Sequence, residues 1–217
     1  MPSISHRAFH ESDGVEHWRV LYGGAHAFFG VDTYSQAAAF VAAVAAIADE
    51  LQHFPDVDLR AEGVTVRTFS GDYGALSDRD AELARRVSLA AGELGLRADP
   101  SRLQAVQLAI AQEPGKDVRP FWAAALGYEH LDDTDAIDLL RRNPNLTFQD
   151  IEPAKPGRGR MHVDVSIPAD QVEARVAAAL AAGGRIADDS YAPMWWTLAS
   201  PENHGVDIAG WVDFKDD

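Results

Sequence analysis

The feature that most constrains the fold is a unit that occurs twice in the second half of the chain. Val106–Ile110 is followed by a helical stretch, Asp117 to Gly127, and Val163–Ile167 is followed by another, Gln171 to Gly183. Short β-prone runs come after each helix, and the two copies start about 57 residues apart. This order predicts a C-terminal domain of paired βαβββ modules, each burying an apolar face.

The first half predicts a different architecture. Apolar residues recur at helical spacing between Thr33 and Gln52, with Thr33 or Ser35 available as the N-cap. Two hairpins and a helix ending at Gly95 complete a four-stranded antiparallel sheet with helices on one face. The whole chain is therefore expected to be α+β. The boundary is expected at Asp99-Pro100, giving domains of residues 1–97 and 102–217.

The composition excludes several classes of function. The net charge of −15 disfavours binding to nucleic acid or to anionic lipid. The absence of cysteine excludes disulfides, thiolate nucleophiles and Cys-ligated metals. No run approaches the ~18 apolar residues of a membrane span, and the N-terminus shows no signal peptide, so a cytoplasmic protein is expected.

One imidazole stands at a position suited to chemistry. His53 follows the last turn of the long predicted helix, and Pro55 ends that helix by restricting the residue before it. Imidazole changes charge near neutral pH, so His53 is a candidate general acid or base. The alternative is that His53 caps the helix C-terminus. The remaining N-terminal histidines fall in or next to predicted surface segments and are assigned no role: His6, His10, His17 and His26.

The residues around His53 resemble the pterin-4a-carbinolamine dehydratase family. The resemblance covers roughly Phe9 to Leu96, and its motifs are Asp49-x-x-x-His53-Phe54-Pro55 and Leu76-Ser77-x-x-Asp80. It implies a hydro-lyase that dehydrates a 4a-hydroxypterin such as 4a-hydroxytetrahydrobiopterin. It also implies a homodimer.

The chain departs from that family at two of its three histidines. The second of the usual adjacent pair is Phe54, and the strand region expected to supply the third is Thr68–Gly71, which has no imidazole. The reaction must protonate a departing hydroxyl and remove a ring-nitrogen proton. The resemblance thus implies His53 as the catalytic group, with Asp49, Asp56 or water as its partner. Phe54 and Pro55 would contact the substrate, and turnover is expected to be slow or absent.

The second half resembles the vicinal oxygen chelate superfamily, the glyoxalase-like fold. The motifs are Phe121-Trp122-x-x-x-Leu126-Gly127, His162-Val163-Asp164-Val165, and Ser200-Pro201-Glu202-Asn203 through Asp207. The superfamily draws metal ligands from four matching strand positions. Carried over, these are His162, Asp207, Gln149 and the position near Ala105, which cannot ligate. No cofactor is certain, but a divalent metal is an open alternative.

Aromatic residues suggest a flat organic ligand for this domain. Those expected to line its cup are Trp122, Phe148, Trp195 and Trp196. Three functions remain open: a pterin-type dehydratase centred on His53, a glyoxalase-superfamily enzyme using His162 and Asp207, and a non-catalytic binder of a pterin or another aromatic small molecule. Plain core packing is the alternative for the aromatic residues.

Overall fold

The chain forms two compact units. A computed structural model describes residues 2–71, 74–112, 117–150, 161–200 and 204–212. The first unit is Met1–Gln104 with Trp211–Asp217, and the second is Ala105–Gly210. In the first unit, the Trp211 ring lies 5.8 Å from that of His6.

The first unit is an antiparallel sheet with helices on one face. Its elements are α1 (His6–His10), β1 (Arg19–Leu21), β2 (Gly24–Gly30), α2 (Tyr34–Leu51), β3 (Asp56–Arg60), β4 (Gly63–Thr68), α3 (Asp78–Glu93) and β5 (Arg97–Ala98). The strand order is β1-β2-β4-β3, and β5 also pairs with β2. The expected α+β class is confirmed, with β5 as a short strand that the sequence pattern did not indicate.

Local sequence explains where α2 begins and ends. The Thr33 hydroxyl accepts a hydrogen bond from the Gln36 N–H at 3.1 Å, so Thr33 is the cap. The helix ends at Leu51, its C-cap Gln52 has a left-handed φ of 49°, and Pro55 prevents its continuation. The buried side of α2 packs against the sheet through an apolar stripe: Ala37, Phe40, Val44, Ile47 and Ala48.

Alternation along the strands sets which side chains enter this core. Ala25, Ala27 and Phe29 of β2 point towards the helices, with Val64 and Val66 of β4 beside them. Each fully buried valine or phenylalanine side chain stabilises the fold by about 1.5–3 kcal/mol. The same alternation places Thr68, at the end of β4, on the side of the sheet that carries Val64 and Val66.

The second unit consists of two βαβββ modules, as the duplication predicts. The first module is β6 (Ala105–Gln112), α4 (Arg119–Leu126), β7 (Glu129–His130), β8 (Asp135–Ile137) and β9 (Asn145–Asp150). The second is β10 (Met161–Ser166), α5 (Val172–Ala181), β11 (Arg185–Asp188), β12 (Trp195–Ala199) and β13 (Gly205–Ala209). The sheet order is β11-β12-β13-β10-β6-β9-β8-β7.

The pairing pattern divides this sheet into two faces. β10 is antiparallel to β6 at the centre, and each is parallel to the last strand of its own module. Val165 and Ile208 pack with α5, while Ile110 and Leu146 form a second core near α4. The alternate positions therefore lie on the opposite face of the sheet. No helix in the described ranges has the length and apolarity that spanning a bilayer requires.

Candidate functional site

His53 is held at the exit of α2 by contacts with the next helix. The guanidinium of Arg79 in α3 donates hydrogen bonds to the carbonyls of Leu51 and Gln52, the latter at 2.7 Å. The His53 N–H donates to the carbonyl of Ala48 at 3.1 Å. These bonds satisfy carbonyls that a helix end leaves open, and they fix the backbone that carries the imidazole.

The imidazole of His53 is joined to a buried carboxylate. Its Nε2 lies 2.8 Å from Asp80 Oδ1 and 3.1 Å from Thr68 Oγ1. Thr68, at the end of β4, also donates to Asp80 Oδ1 at 2.6 Å. The Asp80 side chain is fully buried and the His53 side chain is 11% exposed. A strand end and two helix ends therefore meet at one His–Asp pair.

Asp80 is ionised because hydrogen bonds outweigh its burial. Burial by itself would raise the pKa of Asp80. Donors from Ser70, Thr68, His53 and the Ser77 backbone act in the opposite direction, and the pKa of Asp80 lies below its usual value. Ser70 Oγ and Ser77 N–H donate to Oδ2 at 2.5 and 2.8 Å, so each carboxylate oxygen is engaged.

This arrangement selects one form of the histidine ring. An ionised Asp80 can only accept hydrogen bonds, so we assign the proton on His53 to Nε2. Nδ1 then carries the lone pair, and it makes no hydrogen bond to any residue that the structure describes. A buried carboxylate that orients an imidazole and stabilises its protonated form is the arrangement expected of a general base.

The other N-terminal residues predicted for the site lie apart from these hydrogen bonds. Asp49 is exposed on the last turn of α2, and its backbone carbonyl accepts hydrogen bonds from Gln52. Asp56, on β3, is paired with the guanidinium of Arg67. Phe54 is 65% exposed next to His53, followed by the half-buried Pro55, so an apolar surface adjoins the imidazole. The carboxylate hydrogen-bonded to His53 is that of Asp80, and the roles predicted for Asp49 and Asp56 stay predictions.

His26, predicted to lie in or next to a surface segment, is itself buried. His26 is 8% exposed on β2, and its Nδ1 lies 3.1 Å from the Gly24 carbonyl. Desolvation and the positive charge of Arg67 lower the pKa of His26 to about 3. It is a neutral structural histidine at neutral pH.

The run Ser77-Asp78-Arg79-Asp80 has the spacing of a helix-capping box, and nothing in it indicates a contact with His53. The capping box is present, because the Ser77 N–H donates to Asp80 Oδ2 and the Ser77 hydroxyl accepts from Arg79 N at 3.3 Å. Its other oxygen nevertheless binds His53. A polar Thr68 at a buried strand position, 1% exposed, was the available signal that a polar partner lay nearby.

A second cluster of titratable groups lies on the second unit's sheet. His162 Nε2 is 3.1 Å from Asp164 Oδ1 and 3.6 Å from Asp207 Oδ2. The ligand atoms of these three residues lie within 4.8 Å of one another. Asp164 was not among the predicted ligands, although period-two alternation puts it on the same face as His162.

The residues do not assemble the four-position chelate of the resembling superfamily. Ala105 supplies a methyl group at the first position. Gln149 is exposed opposite Ala111, two residues beyond Thr147, which is the β9 residue level with His162. Gln149 therefore lies about 7 Å further along the sheet than His162 and two strands away from it. The charged cluster thus comes from the second module alone.

The predicted aromatic lining is largely core. Phe148 is 5% exposed and packs with Trp122 in the core near α4, and Trp196 packs with the core under α5. Trp195 alternates with Trp196 and lies on the other face, with its ring stacked 4.3 Å from that of Tyr191. Of the four, Trp195 is the aromatic residue that shares a face with Asp207.

Comparison with known proteins gives a separate result for each half. Residues 4–90 match the family described as pterin 4 alpha carbinolamine dehydratase, and residues 107–209 match the glyoxalase-like domain. A protein of Synechococcus sp. (strain WH7803), named provisionally as a pterin-4-alpha-carbinolamine dehydratase, is 33% identical over 76 residues. That match covers 35% of this chain and 82% of the relative.

Two solved structures are similar to parts of the chain. One is a transcriptional coactivator/pterin dehydratase from Brucella melitensis, 24% identical with a TM-score of 0.35, covering 40% of this chain and 90% of that one. The other is a glyoxalase/bleomycin resistance protein/dioxygenase superfamily member from Vibrio splendidus 12B01. It is 12% identical with a TM-score of 0.33, covering 49% of this chain and 97% of that one.

Proposed function

Because the chain belongs to the pterin-4-alpha-carbinolamine dehydratase family through its first half and carries a glyoxalase-like domain in its second, we propose that its first unit is a hydro-lyase acting on a 4a-hydroxypterin. The observation that supports this most directly is the 2.8 Å contact between His53 Nε2 and the buried Asp80. This contact orients the one imidazole that the sequence offers at this position, so that it can act as a base.

One imidazole is sufficient if it acts twice. In the proposed reaction, Nδ1 of His53 takes the proton from the ring nitrogen N5. The N5 electron pair forms the C4a=N5 bond while the C4a–O bond breaks. The departing hydroxide then takes the proton from the imidazolium, giving water and restoring neutral His53. Asp80 accepts a hydrogen bond from Nε2 throughout, so it stabilises the transient positive charge.

The surface beside the imidazole suits a flat ring. Phe54 takes the place of a family histidine and is 65% exposed. We propose that its ring stacks on the pterin and holds C4a near Nδ1, since offset aromatic pairs contribute about 0.5–1.5 kcal/mol beyond burial. In this proposal, Phe54 contributes to substrate binding but cannot transfer a proton as the family histidine would. Turnover is therefore expected to be slower than at a site with three histidines.

The test is dehydration of a 4a-hydroxytetrahydropterin by the full chain, followed by absorbance and corrected for the spontaneous reaction. We expect His53→Ala to lower the rate by about 10²- to 10⁴-fold, as loss of a general acid–base does. Asp80→Asn should lower the rate less and shift its pH profile, because Asp80 positions His53. Asp49→Asn, at an exposed residue outside these hydrogen bonds, serves as the control and should change the rate little.

Two outcomes would separate the alternatives. A wild-type rate equal to the spontaneous rate, together with pterin binding lost in His53→Ala, would replace the enzyme with a non-catalytic binder. Turnover that survives His53→Ala would exclude the proposed base, whatever the overall activity.

A further inference from the structure

The buried carboxylate of Asp80 receives a hydroxyl group from Ser70 on the oxygen that does not contact His53. Ser70 follows β4 and precedes α3, so it belongs to the loop between them. Its Oγ donates to Asp80 Oδ2 at 2.5 Å, and the strongest bonds between a hydroxyl and a carboxylate have lengths of about 2.5–2.7 Å. Ser70 is therefore a strong donor to Asp80.

The backbone of Ser70 is held independently of its side chain. The Ser70 N–H donates to the carbonyl of Ala75 at 2.8 Å, which closes the loop that leads from β4 towards α3. Thr68, two residues earlier, is the last residue of β4 and is fully paired in the sheet with Ala25. Removing the Ser70 hydroxyl leaves these backbone bonds in place, so a substitution tests the side chain alone.

The number of donors around Asp80 determines the direction of each hydroxyl. An ionised carboxylate has about four lone-pair sites. Oδ1 accepts from His53 Nε2 at 2.8 Å and from the Thr68 hydroxyl at 2.6 Å. Oδ2 accepts from the Ser70 hydroxyl and from the Ser77 backbone N–H at 2.8 Å. These four donors fill the four sites.

The Ser77 hydroxyl then donates to Ser70. The two Oγ atoms are 2.8 Å apart, whereas Ser77 Oγ is 3.0 Å from the filled Asp80 Oδ2. Ser77 Oγ also accepts a hydrogen bond from the backbone N–H of Arg79 at 3.3 Å. A directed chain follows, in which Arg79 donates to Ser77 and Ser77 donates to Ser70. Ser70 in turn donates to Asp80, and hydrogen bonds aligned in this way strengthen one another.

The proposed dehydration makes two opposite demands on His53. The imidazole first takes a proton at Nδ1, and the imidazolium must then give that proton to the departing hydroxide. The Asp80 carboxylate assists the first step because it stabilises the positive charge. It hinders the second step if it stabilises that charge too strongly. The catalyst is most effective when its affinity for a proton is intermediate.

Ser70 reduces the negative charge that Asp80 presents to the imidazole. Burial acts to raise the pKa of Asp80, but hydrogen bonds hold that pKa below its ordinary value, and the bond from Ser70 is foremost among them. A carboxylate that accepts a strong hydrogen bond on Oδ2 is a weaker acceptor on Oδ1. Ser70 thus influences His53 through Asp80.

We propose that Ser70 is a positioning residue, which moderates the Asp80 carboxylate so that His53 can both accept and release a proton. Its hydroxyl, oriented by Ser77, withdraws charge from the oxygen that does not contact the imidazole. The catalytic part of this inference rests on the proposed dehydratase. The hydrogen-bond part does not, because it is a property of the folded chain.

The first experiment needs no substrate. The full chain is labelled with ¹⁵N-histidine, and correlations from the carbon-bound ring protons report the Nε2 signal of His53, which His53→Gln identifies by its loss. Ser70→Ala should move this signal downfield, because Asp80 becomes a stronger acceptor. Ser70→Thr, which keeps the hydroxyl, should leave the signal in place. Ser35→Ala, at an exposed serine of the same unit, is the matched control and should also leave it in place.

The second experiment measures turnover of a 4a-hydroxytetrahydropterin by the same variants. Ser70→Ala should lower kcat by about 3- to 10-fold, a small part of the effect that losing a general acid–base has. KM should stay unchanged, because Ser70 acts through Asp80 and does not contact the substrate. Ser70→Thr should restore kcat. If Ser70→Ala does not fold, Ser70→Cys replaces it, since a thiol is a weaker donor of similar size and should act in the same direction.

The two experiments separate this inference from the dehydratase proposal. A wild-type chain without turnover, in which Ser70→Ala still moves the Nε2 signal of His53, would reject the dehydratase and support the role of Ser70 in the hydrogen-bond chain. An unmoved Nε2 signal, a rise in KM at constant kcat, or a kcat that Ser70→Thr fails to restore would each overturn the role of Ser70.

Discussion

The imidazole of His53 and the carboxylate of Asp80 lie 2.8 Å apart, although 27 residues separate them in the sequence. One follows the C-terminal end of α2, and the other is in the first turn of α3. Asp80 therefore has two roles at once, since one oxygen caps its own helix and the other binds the imidazole. A substitution at Asp80 is expected to change both stability and chemistry, and pH separates the two.

Asp80→Asn should remove a pH-dependent contribution to stability. The pKa of Asp80 is lowered in the folded protein, so the unfolded chain binds its proton first as pH falls. The contribution is complete above the unfolded pKa of about 3.9 and is lost as pH falls through the folded pKa. Urea unfolding from pH 7 to pH 2.5 should show a wild-type advantage that shrinks below about pH 4. A difference independent of pH would contradict the assignment.

His26 should also make the free energy of unfolding depend on pH, at a milder pH than Asp80 does. Its pKa of about 3 in the folded protein lies well below the ordinary imidazole value, so only the unfolded state takes up the proton between about pH 6.5 and 3. The free energy of unfolding should therefore decrease as the pH is lowered through this window, by up to about 1.4 kcal/mol per pH unit. His26→Gln should flatten that slope, whereas His17→Gln, an exposed control in the same unit, should not.

Gly24 is expected to be intolerant of any side chain. Its φ is +127°, and an added Cβ would lie 2.3 Å from the carbonyl oxygen of Thr68. Gly24→Ala should destabilise the first unit by more than about 1 kcal/mol and displace Thr68, which contacts both His53 and Asp80. Gly92→Ala is the matched control, because nothing lies within 4 Å in α3 and alanine favours helix by up to about 1 kcal/mol. Denaturant midpoints of the two variants should move in opposite directions.

Phe148 tests which face of the second sheet is core. At 5% exposed among core residues, Phe148→Ala should lower the free energy of unfolding by about 3–5 kcal/mol. Leu139→Ala, at a position that is 54% exposed, should change it by less than about 0.5 kcal/mol. A Phe148→Ala variant whose unfolding midpoint is nearly unchanged would contradict the assignment of Phe148 to the core.

Local patterns determined much of the architecture. Period-3.6 spacing and the Thr33 cap located α2, and the repeated strand–helix order predicted both modules, because these signals depend on residues close together in the chain. The motif around His53 likewise indicated the family by residues within one segment. Helix caps and hydrophobic periodicity depend on residues close together in the chain, so the sequence alone predicts them.

The partners of those residues were decided by the tertiary structure. Asp80 reaches His53 because α3 packs beside the exit of α2. Asn145 and Asp164 lie level with each other, two strands apart, because strand register aligns the two modules. The same register separates Trp195 from Trp196, sending one residue to the open face and its neighbour to the core. Hydrogen bonds and buried charges depend on distances across the fold, and sequence order does not contain those distances.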